Sequence, residues 1–436
     1  MNFKTRRQFL KSGVWGASAS WTLPYFVQQT FGELDEANRD KAVQANTGKD
    51  NEILVVLQMA GGNDGLNTLV PFENDAYYAA RPVLGLKKKE LIELENGIGL
   101  NENLRSLAGL YDEGDLAIVQ GVGYPNPNRS HFVSTSIWET ADPSKKSPTG
   151  WLGRYFDNQC EGRDPLVGVS LKKTQPEAFG ACENSGISVA APELYQWLHG
   201  GEEMAQAEDI FTALNGGGML SQEDENSGGS IAQIGGGGGL VEEDAASYLE
   251  RVALDAQLSS EEVLDAAKSY KSKLNYPGSN LGRSLSLVSR MIAGGMSTRV
   301  YYVSHGGFDT HRDQGNRHSQ LLGDMDRALK TFFADLKEQG NYDRVTLMTF
   351  SEFGRRVNEN ASGGTDHGGG SCLFVAGGGV KGGLYGKYPS LIELKRGDLV
   401  YNVDFRNVYS TLLDKWLRTD SKKVLGSQYE NLGFIG

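Results

Sequence analysis

Four short segments of this chain set acids and histidines beside glycine, each directly after an apolar run. Gly61-Gly62-Asn63-Asp64-Gly65 follows the run Ile53 to Met59, and Asn128-Arg129-Ser130-His131-Phe132 follows Leu116 to Val119. Gly306-Gly307-Phe308-Asp309-Thr310-His311 follows Arg299 to Val303. Ser351-Glu352-Phe353-Gly354-Arg355 follows Val345 to Phe350, with Gly364-Thr365-Asp366-His367-Gly368 just beyond. Carboxylates and imidazoles are hard-to-borderline donors of the kind that hold divalent cations. Asp309 and His311 are separated by one residue, so an extended segment points both side chains the same way. Glu352 and the pair Asp366-His367 supply further donors. Of six histidines in the chain, three (His131, His311 and His367) fall in these segments, a concentration that scattered residues would not show.

Each donor also has an ordinary role open to it. Asp64 could hydrogen-bond its own turn, as Asp does in many loops. Ser130 could be an N-cap, worth ~1 kcal/mol of local stability; alternatively its hydroxyl sits where a helix dipole favours a developing anion. His305 could line the site, His318 reads as a histidine on a helix, and His199 has no partner nearby in sequence.

Elements of a recognisable kind must position these residues. The four apolar runs have the length and β-branched content of buried strands. Helices are expected over Glu242 to Leu274, Leu281 to Ile292, His318 to Leu336 and Phe405 to Leu417, the last capped by Asp404. Leu373 to Ala376 reads as a short strand. Alternation of this kind predicts an α/β fold with a doubly wound, mainly parallel sheet and helices on both faces. Such a sheet gathers its chemistry where strands end and loops begin.

The chain has 436 residues and a net charge of −12, which argues against nucleic acid or an anionic membrane surface as partner. No internal stretch approaches the ~20 apolar residues of a membrane span. Thr5-Arg6-Arg7-Gln8-Phe9-Leu10-Lys11, ahead of an apolar segment from Val14 to Val27, has the pattern of a twin-arginine export signal. The expected organisation is a signal over 1–30, a polar linker over 31–51 and one α/β domain over 52–436, interrupted by a glycine-rich excursion at 215–240 that cannot offset its ordering entropy. The expected location is the periplasm or the exterior. Cys160 and Cys182 could pair there, or all three cysteines could be buried thiols.

The order of these motifs, together with Gly-Trp-Leu-Gly-Arg-Tyr at 150–155 and Gly-Gly-Gly-Val-Lys-Gly-Gly at 377–383, resembles the exported bacterial family catalogued as domain of unknown function 1501. More loosely, the chain is similar to the alkaline phosphatase and sulfatase superfamily, whose fold is a doubly wound sheet holding two divalent metals. That resemblance implies that Asp64, Asp309, His311, Glu352, Asp366 and His367 are metal ligands. It also implies that Ser130 is the nucleophile, with Arg129 beside it to stabilise charge and His131 beside it as either a proton donor or a metal ligand. Two departures stand out: Asp309-x-His311 is tighter than the superfamily's Asp-x-x-x-His, and Ser351-Glu352 lacks its histidine. The expected cofactor is accordingly one or two divalent ions, of zinc, manganese or calcium. The implied activity is hydrolysis of phosphate or sulfate esters of a small molecule or polysaccharide. The competing expectation is a non-catalytic exported protein of the same fold, acting as a partner in surface polysaccharide handling.

Overall fold

Strand direction places the loops. A computed structural model describes residues 51–159, 164–182, 185–189, 262–263 and 265–436. The export signal, the linker up to residue 50, the glycine-rich segment, Cys160, His199 and most of the helix expected over 242–274 lie outside the described residues.

The main sheet is built from β1 (Ile53–Ala60), β5 (Leu116–Gly123), β6 (Gly168–Ser170), β7 (Ile187–Ser188), β8 (Val300–Gly306), β9 (Val345–Phe350), β10 (Ser371–Gly377), β11 (Gly383–Tyr385) and β12 (Val403–Asp404). Its order is β11-β5-β10-β9-β1-β8-β6-β7, with β12 beside β5. A separate small sheet joins β2 (Leu69–Val70), β4 (Gly99–Asn101) and β3 (Leu91–Glu93). In the main sheet β1 runs parallel to both β8 and β9, in register Ala60↔Gly306 and Gln58↔Phe350. These three strands are buried almost throughout, which is why they read as continuous apolar runs.

The sheet is mainly parallel, with one informative departure. β10 is antiparallel to both β9 and β5. Two reversals leave β5 pointing the same way as β9. The carboxyl ends of β1, β5, β8 and β9 therefore share one edge, and β10 starts from that edge. The loop before β10 carries Asp366 and His367, so it reaches the same edge from a strand's amino end.

Helices cover both faces. Leu54 and Val56 of β1 join an apolar cluster with Trp138, Phe405, Tyr409 and Trp416. Val55 and Leu57, equally buried, point to the opposite face. The helix Asn280–Ala293 packs on β8 and against the long helix Gln314–Gln339. The helix Phe405–Thr411 is capped by Asp404, whose carboxylate accepts from the Arg406 N–H at 3.0 Å. It continues as one π-helical stretch, Leu412–Trp416. Residues 270–274, expected as the end of a helix, are not helical. Instead the hydroxyls of Tyr270, Ser272 and Tyr276 converge on the buried carboxylate of Asp335. No helix among the described residues is long and apolar enough to cross a membrane.

Candidate metal centre

Backbone geometry at the end of β1 lets the loops close in. Gly61 and Gly62 have φ of 119° and 80°, conformations that glycine adopts without steric cost. A Cβ on Gly61 would lie 2.4 Å from the Asp309 nitrogen, so only glycine allows this approach. Ser351 ties the end of β9 to β1: its Oγ donates to the Met59 carbonyl at 2.7 Å and accepts from the Asn63 N–H at 2.8 Å. The next residue, Glu352, is almost wholly buried. Its backbone carbonyl accepts from Trp138 Nε1 at 2.9 Å and from the Ser134 hydroxyl. That fixes the helix His131–Thr140 against the end of β9.

Donor atoms from three of these loops then meet. Atoms of His131, Asp309 and His367 all lie within 4.8 Å of one another. His367 Nε2 is 3.1 Å from Asp309 Oδ1, and His131 Nε2 is 3.5 Å from Asp309 Oδ2. His311 joins them, its Nε2 3.1 Å from Asp309 Oδ1 and 2.9 Å from His367 Nε2. As the period of an extended segment predicts, Asp309 and His311 do share a side.

The far sides of the rings are equally ordered. His367 Nδ1 lies 2.8 Å from the Arg129 carbonyl, which can only accept, so that nitrogen carries the proton. His131 Nδ1 lies 2.8 Å from Glu352 Oε1, which also accepts from the Gly61 N–H at 2.8 Å. His311 Nδ1 lies 3.3 Å from Asp366 Oδ1. Three imidazoles thus turn Nδ1 to an acceptor and Nε2 to one carboxylate. That is how histidine ligands are oriented by a second layer of partners. Phe353 packs against two of the rings, at 4.9 Å from His131 and 4.4 Å from His367.

Arg355 holds the carboxylate. Its side chain is fully buried and donates to the carbonyls of Gly61, Gly62, Phe308 and Thr365 and, at 2.8 Å, to Asp309 Oδ1. Partial burial alone would raise the Asp309 carboxyl. The hydrogen bonds from Arg355 and His367 and the nearby positive charge outweigh it and hold it at about 2. Burial lowers the His367 imidazole below its ordinary value, and the Arg355 charge adds to this against the opposing pull of the Arg129 carbonyl and Asp309.

The remaining predicted residues are placed differently. Glu352 and Asp366 stand behind histidines, each accepting from an Nδ1. Asp64 is the correction. It is fully buried and paired with Arg81, at 2.6 Å and 3.0 Å to its two oxygens, and it accepts as well from Gln314 and the Leu66 N–H. Burial would raise its carboxyl, but Arg81 outweighs that and lowers it. Its charge is already balanced and its oxygens are engaged, so it is not one of the gathered donors. Ser130 is the exposed N-cap of the helix His131–Thr140, and its side chain makes no capping hydrogen bond. Arg129 lies at the mouth of the cluster, lining a pocket of about 310 Å³ with His311, Arg356, Asp366 and His367. His318 is buried against Asn63 Oδ1 at 2.9 Å, and His305 meets the Leu321 carbonyl at 3.0 Å; neither is in the cluster. Cys182 is a free, exposed thiol and Cys372 a free one.

Sequence reasoning assigned no role to Arg81, Arg355 or Phe353. Arg355 and Phe353 could have been found, because they complete the segment that carries Glu352.

Residues 226–429 match the family model described as protein of unknown function (DUF1501). No curated protein matches the chain. Among solved structures it is similar to the PsFucS1 sulfatase from Pseudoalteromonas sp., at 11% identity and a TM-score of 0.35, over 92% of this chain and 72% of that one. It is also similar to a protein in the alkaline phosphatase superfamily from Vibrio parahaemolyticus, at 9% identity and a TM-score of 0.35, over 88% and 70%. An alkaline phosphatase from the Antarctic bacterium TAB5 matches at 9% and 0.30, over 77% and 95%.

Proposed function

We propose that this chain is an exported hydrolase of phosphate or sulfate esters working at one divalent-cation centre, held by His131, Asp309 and His367 with His311 as a fourth donor. The observation that carries the reading is the convergence of imidazole Nε2 atoms on Asp309. With bonds of ~2.0–2.1 Å, donors around a tetrahedral cation sit roughly 3.3 Å apart. The spacings of 2.9, 3.1, 3.1 and 3.5 Å bracket that value. The donors also fit by charge. The Nε2 atoms of His131, His311 and His367 all face the ionised Asp309 carboxylate, so a cation among them would meet a balancing negative charge and ring nitrogens whose Nδ1 sides are already engaged. An imidazole-rich set favours zinc or manganese over calcium, which takes oxygen ligands.

A cation held there supplies Lewis acidity toward a phosphoryl or sulfuryl oxygen. The chain's own residues do the rest. Glu352, Asp366 and the Arg129 carbonyl fix the tautomers of the three imidazoles. Arg355 keeps Asp309 ionised across the neutral range. Arg129 and Arg356 face the mouth, where guanidinium groups suit the non-bridging oxygens of a tetrahedral ester. Ser130, exposed beside His131 and not spent on capping, is the nucleophile in this reading. Its oxygen forms the bond to phosphorus or sulfur, its proton passes to solvent, and the alkoxide leaves with the bonding electrons and takes a proton from solvent. Water then releases the acid and restores the hydroxyl.

The export half rests on Arg6 and Arg7 in their twin-arginine setting. Replacing both with lysine should retain the precursor in the cytoplasm; normal export of that variant would contradict it. For the chemistry, the mature protein loaded with zinc or manganese is offered 4-nitrophenyl phosphate, a phosphodiester and 4-nitrophenyl sulfate. Turnover of at least one, lost on chelation and in Asp309→Ala, supports the reading. Metal-loaded protein that turns over none of them opposes it.

A further inference from the structure

Beyond the histidine cluster, a cavity of about 550 Å³ opens at the same sheet edge. That is the size of a small-molecule site, typically ~300–1,000 Å³. Its walls include Tyr124, Trp138, Phe350 and Tyr401. Arg129 lines both this cavity and the smaller pocket over His311 and His367, so the two adjoin at one residue. Arg129, Lys395 and Arg396 all line the cavity, three cations gathered in a chain whose net charge is −12. Lys395 and Arg396 are exposed, and no ion pair is recorded for either among the described residues.

Two acids line the cavity as well, and both are already committed. Glu352 accepts from the Gly61 N–H and faces His131 Nδ1. Asp398, buried to 6% exposure, accepts from Arg129 Nη2 at 2.5 Å through Oδ2. Its Oδ1 faces Arg356 Nε at 3.7 Å. Both of those atoms are buried, and neither has a hydrogen-bond partner among the described residues. One carboxylate therefore positions two guanidinium groups, Arg129 and Arg356, and leaves Lys395 and Arg396 uncompensated. A cationic rim around a cavity attracts an anion by direct pairing and by focusing the field.

We infer that this cavity takes the alcohol part of the ester, and that this part carries its own anionic group, a carboxylate, sulfate or phosphate, bound by Lys395 and Arg396. The inference deepens the proposed function and rests on it for the position of the reacting ester. Arg129, between the two pockets, spans both ends of such a ligand. Asp398 acts as a positioning residue, setting the Arg129 guanidinium between them.

The test is calorimetric binding of glucose 6-phosphate, glucose 1,6-bisphosphate and glucuronic acid 1-phosphate to the mature, metal-loaded protein carrying Ser130→Ala, so that binding is read without turnover. The two compounds with a second anionic group should bind about tenfold more tightly than the monoester, the scale of one charge-assisted hydrogen bond. The double variant Lys395→Gln/Arg396→Asn should erase that preference and leave monoester affinity unchanged. Asparagine is chosen because Arg396 has φ of 58°, a left-handed conformation that Asn tolerates. Lys422→Gln/Lys423→Gln removes the same charge from exposed side chains of the helix Ser421–Leu425 and should leave the preference intact. A preference for the bisphosphate alone, or for the carboxylate alone, identifies which anion the rim selects. No preference with Lys395 and Arg396 in place, or one that survives their substitution, overturns the inference. Failure of the metal-centre reading would look different: Asp309→Ala would leave glucose 6-phosphate affinity unchanged, while the rim comparison would still decide its own question.

Discussion

His311 and His367 face each other with Nε2 atoms 2.9 Å apart, while each turns its Nδ1 to an acceptor, Asp366 Oδ1 and the Arg129 carbonyl. Both Nε2 atoms also lie 3.1 Å from Asp309 Oδ1, so the three atoms form one tight cluster. The relationship makes sense around a shared cation, and the surrounding residues divide into those that would touch it and those that aim the ones that do.

Arg355 belongs to the second group. Its buried guanidinium serves four backbone carbonyls and Asp309. Arg355→Met should strand those acceptors and cost about 3–5 kcal/mol, the range for breaking a buried charged network. Urea denaturation measures this. A loss under ~1 kcal/mol would show that water replaces the arginine freely.

Asp64 and Arg81 form a buried ion pair that leaves the cluster alone. Asp64→Ala should destabilise the fold by about 3–5 kcal/mol through the uncompensated Arg81, yet leave the metal content of the folded protein unchanged. Loss of metal without loss of stability would return Asp64 to the ligand set.

His318 sets a pH dependence. Burial lowers its imidazole from 6.5 to about 4. Between those values the unfolded chain binds a proton that the folded chain does not, so stability rises with pH there. The contribution is fully present above pH 6.5 and is lost as pH falls to 4, roughly 3 kcal/mol in all at ~1.4 kcal/mol per unit. His318→Gln keeps a donor for Asn63 and should flatten this part of the stability–pH curve. Equal slopes in the two proteins would contradict the assignment.

Ser130 separates catalysis from capping. Because its side chain makes no capping bond, Ser130→Ala should change thermal stability by less than the ~1 kcal/mol of a working cap. Turnover should vanish while metal content stays. Retained turnover would remove Ser130 from the mechanism.

Much of the framework was legible in the sequence because parallel strands buried on both faces leave unbroken apolar runs; β1 and β9 end within a residue of where their runs stop, while β8 continues three residues past Val303 to Gly306. The Asp309–His311 pairing followed from the two-residue period alone. Strand direction was not legible: nothing in Leu373 to Ala376 says that β10 runs antiparallel, yet that reversal brings His367 to the edge. The pairing of Asp64 was hidden for a related reason. Its partner, Arg81, lies in Ala-Ala-Arg-Pro, where no spacing or neighbour marks it, and only tertiary packing brings the two together. Glu352 was read as a ligand because it follows a strand. The structure turns its carboxylate to His131 Nδ1 and the Gly61 N–H, one layer back.

The measurement that bears most directly on the cation centre is metal content by elemental analysis of the purified mature protein, beside His367→Ala and Asp309→Ala. Wild type should carry close to one zinc or manganese per chain after equilibration with either ion and removal of excess. Both variants should remain folded and lose most of it. Wild-type protein that retains no ion, or variants that retain as much as the wild type, would contradict the account.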